Sequence, residues 1–265
     1  MPSYFRLEKE GAVAVLIFDR NEKRNPLNED SVSELEANLL AIRDDERVRA
    51  LLLTGTGNTF SSGADLSRLK GVTDQAERQR LFGAIAPQRR RILRRTLALL
   101  TNLELPTIAA VNGFAVGGGW FLALACDLRI AAESAEFWMP EVDLGSPGPR
   151  APEQWLTAHV GAARAKEIIF TARLVEAPEA LALGLVSEVL PDHAALIARA
   201  TALAMLLAGH APLTLQATKE ALRRLRPKLA PGEGEDLILL CYMSRDFREG
   251  MDAFLNKRAP NFRGE

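Results

Sequence analysis

The sequence is poor in cysteine and histidine. Cys126 and Cys241 are its two cysteines and His159, His193 and His210 its three histidines, in 265 residues. Two cysteines exclude a disulfide framework and a four-cysteine zinc site. The histidines stand far apart in the chain and form no metal signature. An excess of one charge sign is also missing: 33 Lys and Arg face 34 Asp and Glu, a net charge of −1. A balanced chain argues against a general binder of nucleic acid or membrane surfaces, because neither polyanion is favoured. Long uninterrupted apolar runs are lacking too. The most apolar stretch, Ile108 to Cys126, contains Asn112, Gly113, Gly117, Gly118 and Gly119 and leads into Asp127 and Arg129. A membrane-spanning helix needs about 20 apolar residues with little interruption, so this stretch reads as buried core. The first residues, Met1-Pro2-Ser3-Tyr4-Phe5-Arg6, carry no basic region followed by an apolar one. No secretory signal is expected, and the expected location is cytoplasmic. What is present, 48% apolar and 25% charged residues, is the profile of a globular enzyme or binding protein.

Apolar strand-like runs alternate with helical patterns. Val13 to Phe18, Val48 to Leu53, Ile108 to Val111, Leu128 to Ala131 and Val186 to Leu190 read as strands. Their continuous apolarity predicts a sheet covered on both faces. Asn28 is placed to cap a helix that carries Val32, Leu35, Leu39 and Ile42 on one face. Residues 76–100 read as helical, and the pattern is mostly helical from about Ala194 onward. The expectation is an α/β body with a helical tail.

Three segments carry candidate chemistry. Leu53-Thr54-Gly55-Thr56-Gly57-Asn58-Thr59-Phe60-Ser61-Ser62-Gly63-Ala64-Asp65-Leu66 leaves a strand and is expected to run into a helix. A dinucleotide-binding loop needs a sixth-position glycine where Phe60 stands, so that reading fails. A Gly-rich turn and an anion site built from backbone N–H groups remain. The second segment, Pro106 to Asp127, reads as a strand, a turn, a triple glycine and an apolar helix. Glycine inside a helix costs roughly 1 kcal/mol relative to alanine. Close backbone packing would offset that cost, and so would N–H groups aimed at a developing anion. In the third segment, Ala135 to Gly145, Glu141 sits among aromatic and apolar residues. It is either an exposed loop carboxylate or a desolvated proton-transfer base.

Together these segments resemble the crotonase superfamily, the enoyl-CoA hydratase/isomerase group. The resemblance runs through Phe18-Asp19-Arg20-Asn21-Glu22-Lys23-Arg24-Asn25-Pro26-Leu27-Asn28, Phe60-Ser61-Ser62-Gly63-Ala64-Asp65, Ala109-Ala110-Val111-Asn112-Gly113 and Gly117-Gly118-Gly119. It continues through Ala125-Cys126-Asp127-Leu128-Arg129 and Pro140-Glu141 to Glu249-Gly250-Met251-Asp252-Ala253-Phe254-Leu255-Asn256-Lys257-Arg258.

The resemblance implies a spiral of ββα turns over residues 1–195 and a helical oligomerisation region over 196–265, giving trimers often paired into hexamers. It implies an acyl-CoA thioester as substrate, with no separate cofactor, no metal, no nucleic acid and no membrane. The backbone N–H groups of Ala64 and Gly118 become the expected oxyanion donors, and Glu141 the expected proton-transfer residue. CoA contacts are expected from Arg24, Asn25, Ser62, Gly63, Ala64 and Asp65, and from Phe254 and Lys257 of a neighbouring subunit. Phe121 occupies the place of the first of two hydratase glutamates and is expected at the substrate. The remaining single glutamate looks closer to the Δ3,Δ2-enoyl-CoA isomerases. The reading is therefore isomerisation or hydration of an enoyl-CoA. Decarboxylation, thioester hydrolysis, or acyl-CoA binding without reaction are the alternatives. Asp143 is read as a second acid or a surface residue, and Arg150 as a ligand for a substrate carboxylate or a solvated side chain. The three prolines of Ser146-Pro147-Gly148-Pro149-Arg150-Ala151-Pro152 suggest a reshaped acyl pocket. Arg89, Arg90, Arg91, Arg94 and Arg95 read as a solvated helix face, and Cys126 as a small core residue.

Overall fold

The computed structural model describes residues 3–67, 92–146, 150–226 and 234–265, without the side chains of Arg150 and Glu235. The main sheet has six strands. In spatial order they are β1 (Phe5–Glu10), β2 (Val13–Phe18), β4 (Ala50–Gly55), β7 (Thr107–Val111), β9 (Leu128–Ala132) and β12 (Val189–Leu190). β1 and β2 form an antiparallel hairpin, and every later pairing is parallel. A second sheet lines up β11 (Val175–Glu176), β10 (Glu136–Trp138), β8 (Phe114–Val116) and β5 (Thr59–Ser61). A third is a two-stranded pair, β3 (Pro26–Leu27) with β6 (Gly63–Ala64).

The strand sequences are apolar throughout because both faces of the main sheet are covered. Ala14, Leu16 and Phe18 of β2 face one core, with Leu51 and Leu53 of β4 and Val32, Leu35, Leu39 and Ile42 of helix α1 (Glu29–Asp44). The alternate residues Val13, Val15, Ile17, Ala50 and Leu52 face a second core. Successive side chains of a strand point to opposite faces, so one apolar run feeds both cores. Asn28 caps α1 as expected: its side chain accepts from the Ser31 N–H at 2.8 Å, and Ser31 Oγ accepts from the Asn28 N–H at 2.8 Å.

Helix α2 covers 92–102; the 76–91 part of the expected helix lies outside the described residues. Helix α3 (Gly118–Ala125) is buried along nearly its whole length. Helix α4 (Arg150–Thr171) is broken at Gly161, where φ is +77°. A short helix, α5 (Ala177–Ala182), leads toward β12, which is shorter than the expected strand from Val186. Helix α6 (His193–Ala208) buries Leu196, Ala200 and Ala204 against the second core. The expected boundary at 195/196 thus falls inside α6, a helix that packs on the sheet. Beyond it come α7 (Pro212–Arg224), α8 (Glu235–Met243) and α9 (Arg245–Leu255). Lys219 ties α7 to the body through Asp127 Oδ2 at 2.7 Å and the Leu105 carbonyl at 3.0 Å. Leu213, Leu222, Leu225, Leu239, Leu240 and Met243 of the tail stay exposed. No single described helix is long and apolar enough to cross a membrane.

Strands β1, β3, β5, β6, β8, β10 and β11 do not appear among the sequence-predicted strands. β5, β8 and β10 are only three residues long, too short for an alternation to be read. Their importance lies in where they end.

Candidate active site

The parallel strands β5, β8 and β10 run side by side, and each leads into one of the three chemistry-bearing segments. β5 leads to Ser62-Gly63-Ala64, β8 to Gly117-Gly118, and β10 to Pro140-Glu141. The carboxyl ends of parallel strands are where open α/β sheets gather their ligand sites.

The first segment does not enter a helix directly, as the sequence suggested. Gly63 and Ala64 instead form β6 against β3. The Ser62 N–H donates to the Arg24 carbonyl at 2.9 Å and the Asp65 N–H to the Leu27 carbonyl at 2.8 Å. In the β3–β6 register Leu27 stands opposite Ala64, the Asp65 N–H beyond it bonds back to Leu27, and the pair has no third strand among the described residues.

The second segment places Gly117 before α3 with φ +46°, a conformation that favours glycine. Gly118 is the first helical residue. Phe121 is the first whose N–H reaches back, to the Gly117 carbonyl at 2.9 Å. The Gly118 N–H is therefore one of the helix-start donors that find no partner inside the helix. Gly63 and this helix start touch backbone to backbone. A Cβ on Gly63 would fall 2.4 Å from the Val116 carbonyl oxygen and 3.1 Å from the Gly118 nitrogen. The two candidate donor amides, Ala64 and Gly118, thus flank a direct main-chain contact.

The third segment brings Glu141 to the same place. The Gly117 N–H donates to the Trp138 carbonyl at 2.8 Å, which ties β8 to β10 where both strands end. Glu141 precedes a 3-10 turn, Val142–Leu144, ended by Gly145 at φ +60°. Its carbonyl accepts from the Leu144 N–H at 3.2 Å and the Ser146 N–H at 2.9 Å. Its side chain points inward: a Cβ on Gly117 would stand 3.0 Å from Glu141 Oε1, and Oε2 is buried with no hydrogen-bond partner. Burial pushes the Glu141 carboxyl up to about 7, and the negative charge of Glu153 on α4 adds to the rise. A carboxyl that titrates near neutral pH both takes and returns a proton effectively.

The remaining expected residues divide. Ser62 and Asp65 are half-buried beside the Gly63 turn; Arg24 is exposed with a left-handed backbone, φ +62°. Asn25 is buried and its side-chain amide is committed. Oδ1 accepts from the Arg20 N–H at 2.8 Å, and Nδ2 donates to the Thr59 carbonyl at 2.7 Å. Ser61 Oγ donates to the Asn25 carbonyl at 2.8 Å. Asn25 thus holds the turn. Phe121 is 4% exposed, within the main core. Phe254 and Lys257 are exposed, and the helix that carries Phe254, α9, packs on this chain's own Val142–Gly145 turn; the resemblance had put both residues at a neighbour's site. Asp143 is exposed, with its carboxyl raised by partial burial. The Arg150 side chain, residues 147–149 and Arg89 to Arg91 lie outside what is described. Arg95 pairs with Glu36 at 2.6 Å on the surface. Cys126 is buried at the end of α3 and burial pushes its thiol up to about 12, as suits a core residue. No group of His, Cys, Asp or Glu suited to a metal ion occurs among the described residues.

A buried carboxyl stands beside two glycine-bearing turns at the ends of parallel strands. The comparisons name the family. The family profile "Enoyl-CoA hydratase/isomerase" matches residues 8–265, and the chain belongs to that family. It is 36% identical over 260 residues to a crotonyl-CoA hydratase of Syntrophomonas wolfei, covering 97% of this chain and 96% of the relative. Among solved structures, an enoyl-CoA hydratase from Bacillus anthracis superposes with a TM-score of 0.76 at 32% identity, over 99% of this chain and 100% of that one. A methylmalonyl-CoA decarboxylase in complex with 2-nitronate-propionyl-CoA superposes with a TM-score of 0.84 at 28% identity, over 99% of both chains. The chain is an enzyme of the enoyl-CoA hydratase/isomerase type.

Proposed function

We propose that this enzyme stabilises a CoA-thioester enolate with the N–H groups of Ala64 and Gly118, and that Glu141 moves the proton. The reaction the site favours is a double-bond shift in an enoyl-CoA. Glu141, as carboxylate, takes a proton from the α-carbon of a 3-enoyl thioester. The C–H electron pair moves onto the thioester oxygen as a dienolate held by the two amides. The same carboxyl then returns the proton at the γ-carbon, giving the 2-enoyl thioester. The observation that carries this reading is Glu141 Oε2, buried beside the Gly117 turn with no partner, on a fold where apolar Phe121 stands in place of a second acid.

CoA is held, in this reading, by the Arg24 turn, by the Ser62-Gly63-Ala64-Asp65 backbone and by Phe254 and Lys257 of a neighbouring subunit. Lys257 meets a phosphate as a point charge. The exposed leucines of α7 and α8 support assembly into trimers or hexamers, in which this apolar surface would be covered.

A second reading shares the enolate. The superposition on a methylmalonyl-CoA decarboxylase supports loss of CO2 from a 2-carboxyacyl thioester. Here the C–C pair moves onto the oxygen, and the half-protonated Glu141 supplies the proton to the α-carbon. One assay separates the readings. But-3-enoyl-CoA, crotonyl-CoA and methylmalonyl-CoA are each incubated in deuterium oxide and analysed by mass spectrometry. Crotonyl-CoA with deuterium exchange from the first supports isomerisation. 3-Hydroxybutyryl-CoA from the second would favour hydration, and propionyl-CoA from the third decarboxylation. No product and no exchange from any would leave a binding protein.

A further inference from the structure

We propose that Gly250, on α9, is a positioning residue for Glu141: its bare Cα lets α9 press against the Val142–Gly145 turn and holds the carboxyl at Gly117. The inference rests on Glu141 being the proton-transfer residue.

The contact is backbone to backbone from both sides. A Cβ on Gly250 would fall 2.5 Å from the Leu144 carbonyl carbon, 2.6 Å from its oxygen and 3.1 Å from the Gly145 nitrogen. A Cβ on Gly145 would fall 2.8 Å from the Asp246 carbonyl oxygen and 3.0 Å from Phe247 Cα. Separations below 3 Å leave no room for a methyl group, so one element must move.

The turn moves as a unit with Glu141. Leu144 N–H bonds to the carbonyls of Pro140 and Glu141, each at 3.2 Å, and Ser146 N–H closes on Glu141 at 2.9 Å. The helix, by contrast, is tied to the chain that follows it. The Asp246 carboxylate accepts the N–H groups of Arg263 and Gly264, each at 2.7 Å. Arg258 pairs with Glu249 at 2.6 Å and Asp252 at 2.7 Å. A methyl at position 250 therefore displaces the turn. Phe247 and Met251 complete the contact, packing with Leu144, Leu66, Tyr242 and Leu255. Leu66, two residues after Ala64, belongs to the same small cluster.

Displacing the turn draws the Glu141 carboxyl out of its dry place. Glu153 on α4 is the one charged side chain, among the described residues, that acts on it. With burial relieved, the proton affinity of Glu141 falls toward that of an ordinary carboxylate.

The test compares Gly250→Ala, Phe247→Ala, Arg258→Ala and Glu141→Gln in the full-length enzyme, with but-3-enoyl-CoA as probe. Gly250→Ala is expected to lower kcat roughly 10- to 100-fold, with KM within about threefold and the acid limb of the pH profile moved to lower pH. Phe247→Ala loosens the same contact without a clash and is expected to give the same split should Gly250→Ala fail to fold. Arg258→Ala removes one brace of α9 and is expected to move kcat and the acid limb in the same direction by less. A folded Gly250→Ala or Phe247→Ala enzyme with wild-type kcat and pH profile overturns the proposal. Full activity in Glu141→Gln instead overturns the assignment of the proton-transfer residue on which it rests.

Discussion

Glu141 meets Gly117 so closely that a Cβ at Gly117 would stand 3.0 Å from Oε1. The residue after Gly117 supplies one candidate oxyanion donor. The proposed proton-transfer residue and the proposed oxyanion donor thus stand together where strands β8 and β10 end. No side chain fits between them, which explains a glycine at 117 with φ +46° better than helix propensity does. The same closeness shuts Oε2 from water and raises the affinity of Glu141 for its proton.

Replacing Glu141 with Gln keeps the shape and removes the base. Turnover is expected to fall roughly 10²- to 10⁴-fold, the usual contribution of a positioned acid–base group. Binding of a CoA thioester, measured by isothermal titration calorimetry, is expected to change less than about threefold, since the amides and the CoA contacts remain. A Glu141→Gln enzyme that turns over normally would remove this residue from the mechanism.

The pH dependence follows from the same burial. The acid limb of kcat is expected near pH 7, because the carboxylate is the active form and its value is raised from 4.5 to about 7. Stability runs the other way. The folded state favours the protonated form, so the stabilisation is complete below about pH 4.5 and is lost as pH rises through about 7. Glu141→Gln, which never ionises, is expected to exceed the wild type in stability at pH 8 by about 3 kcal/mol. Urea denaturation at pH 5 and pH 8 measures it. An equal difference at the two pH values would show that the carboxyl is not desolvated.

Much of this site was legible in the sequence, because its parts are main-chain features signalled by glycine. Gly63 and Gly117-Gly118-Gly119 mark the amides, and Glu141 stands out as a carboxylate among Phe137, Trp138 and Met139. The long strands were legible as well, since β2, β4 and β7 feed apolar residues to two cores. Less visible were the three-residue strands β5, β8 and β10 that deliver the loops, because pairing rather than pattern makes them strands. The packing of α9 on its own chain's turn was also hidden. It depends on Gly145 and Gly250 meeting across about a hundred residues of chain, and nothing local to either records the other. Asn25 was read as a CoA contact, and the structure adds a second part for it, a brace between the Arg20 N–H and the Thr59 carbonyl. An asparagine in a turn carries the same signal for both.

Gly63→Ala tests the contact that gathers the amides. The residue has φ +73°, and its added methyl would fall 2.4 Å from the Val116 carbonyl oxygen. β6 must shift from the start of α3, which misplaces the Ala64 donor. Loss of one such donor costs about 10²–10³ in kcat, and that is the expected fall. A steady-state assay with wild-type kcat would separate this contact from catalysis.

Asn25→Ala is expected to act on stability first. It leaves the Arg20 N–H and the Thr59 carbonyl without their partners at 2.8 and 2.7 Å. Orphaned buried groups cost about 1–3 kcal/mol each, so a loss of about 3 kcal/mol is expected in urea denaturation. A loss confined to CoA affinity would instead make Asn25 a direct ligand contact.

Phe121→Glu asks whether the missing second acid sets the reaction. Phe121 lies one helical turn beyond Gly118 and is 4% exposed, so a glutamate there enters a dry core beside the amides. The exchange removes a buried ring, which costs about 3–5 kcal/mol when the ring is truncated, and a lower melting temperature is expected. The carboxyl added would be desolvated and held largely neutral at pH 7, able to donate a proton or a hydrogen bond to water. Hydration of crotonyl-CoA is therefore expected to rise relative to isomerisation of but-3-enoyl-CoA, by about tenfold or more. Phe121→Gln carries similar bulk and polarity without the proton and should leave the ratio near that of the wild type. Equal ratios in the Glu and Gln variants would mean that reaction choice is decided outside position 121, with the polypeptide around Glu153 on α4 the next place to look.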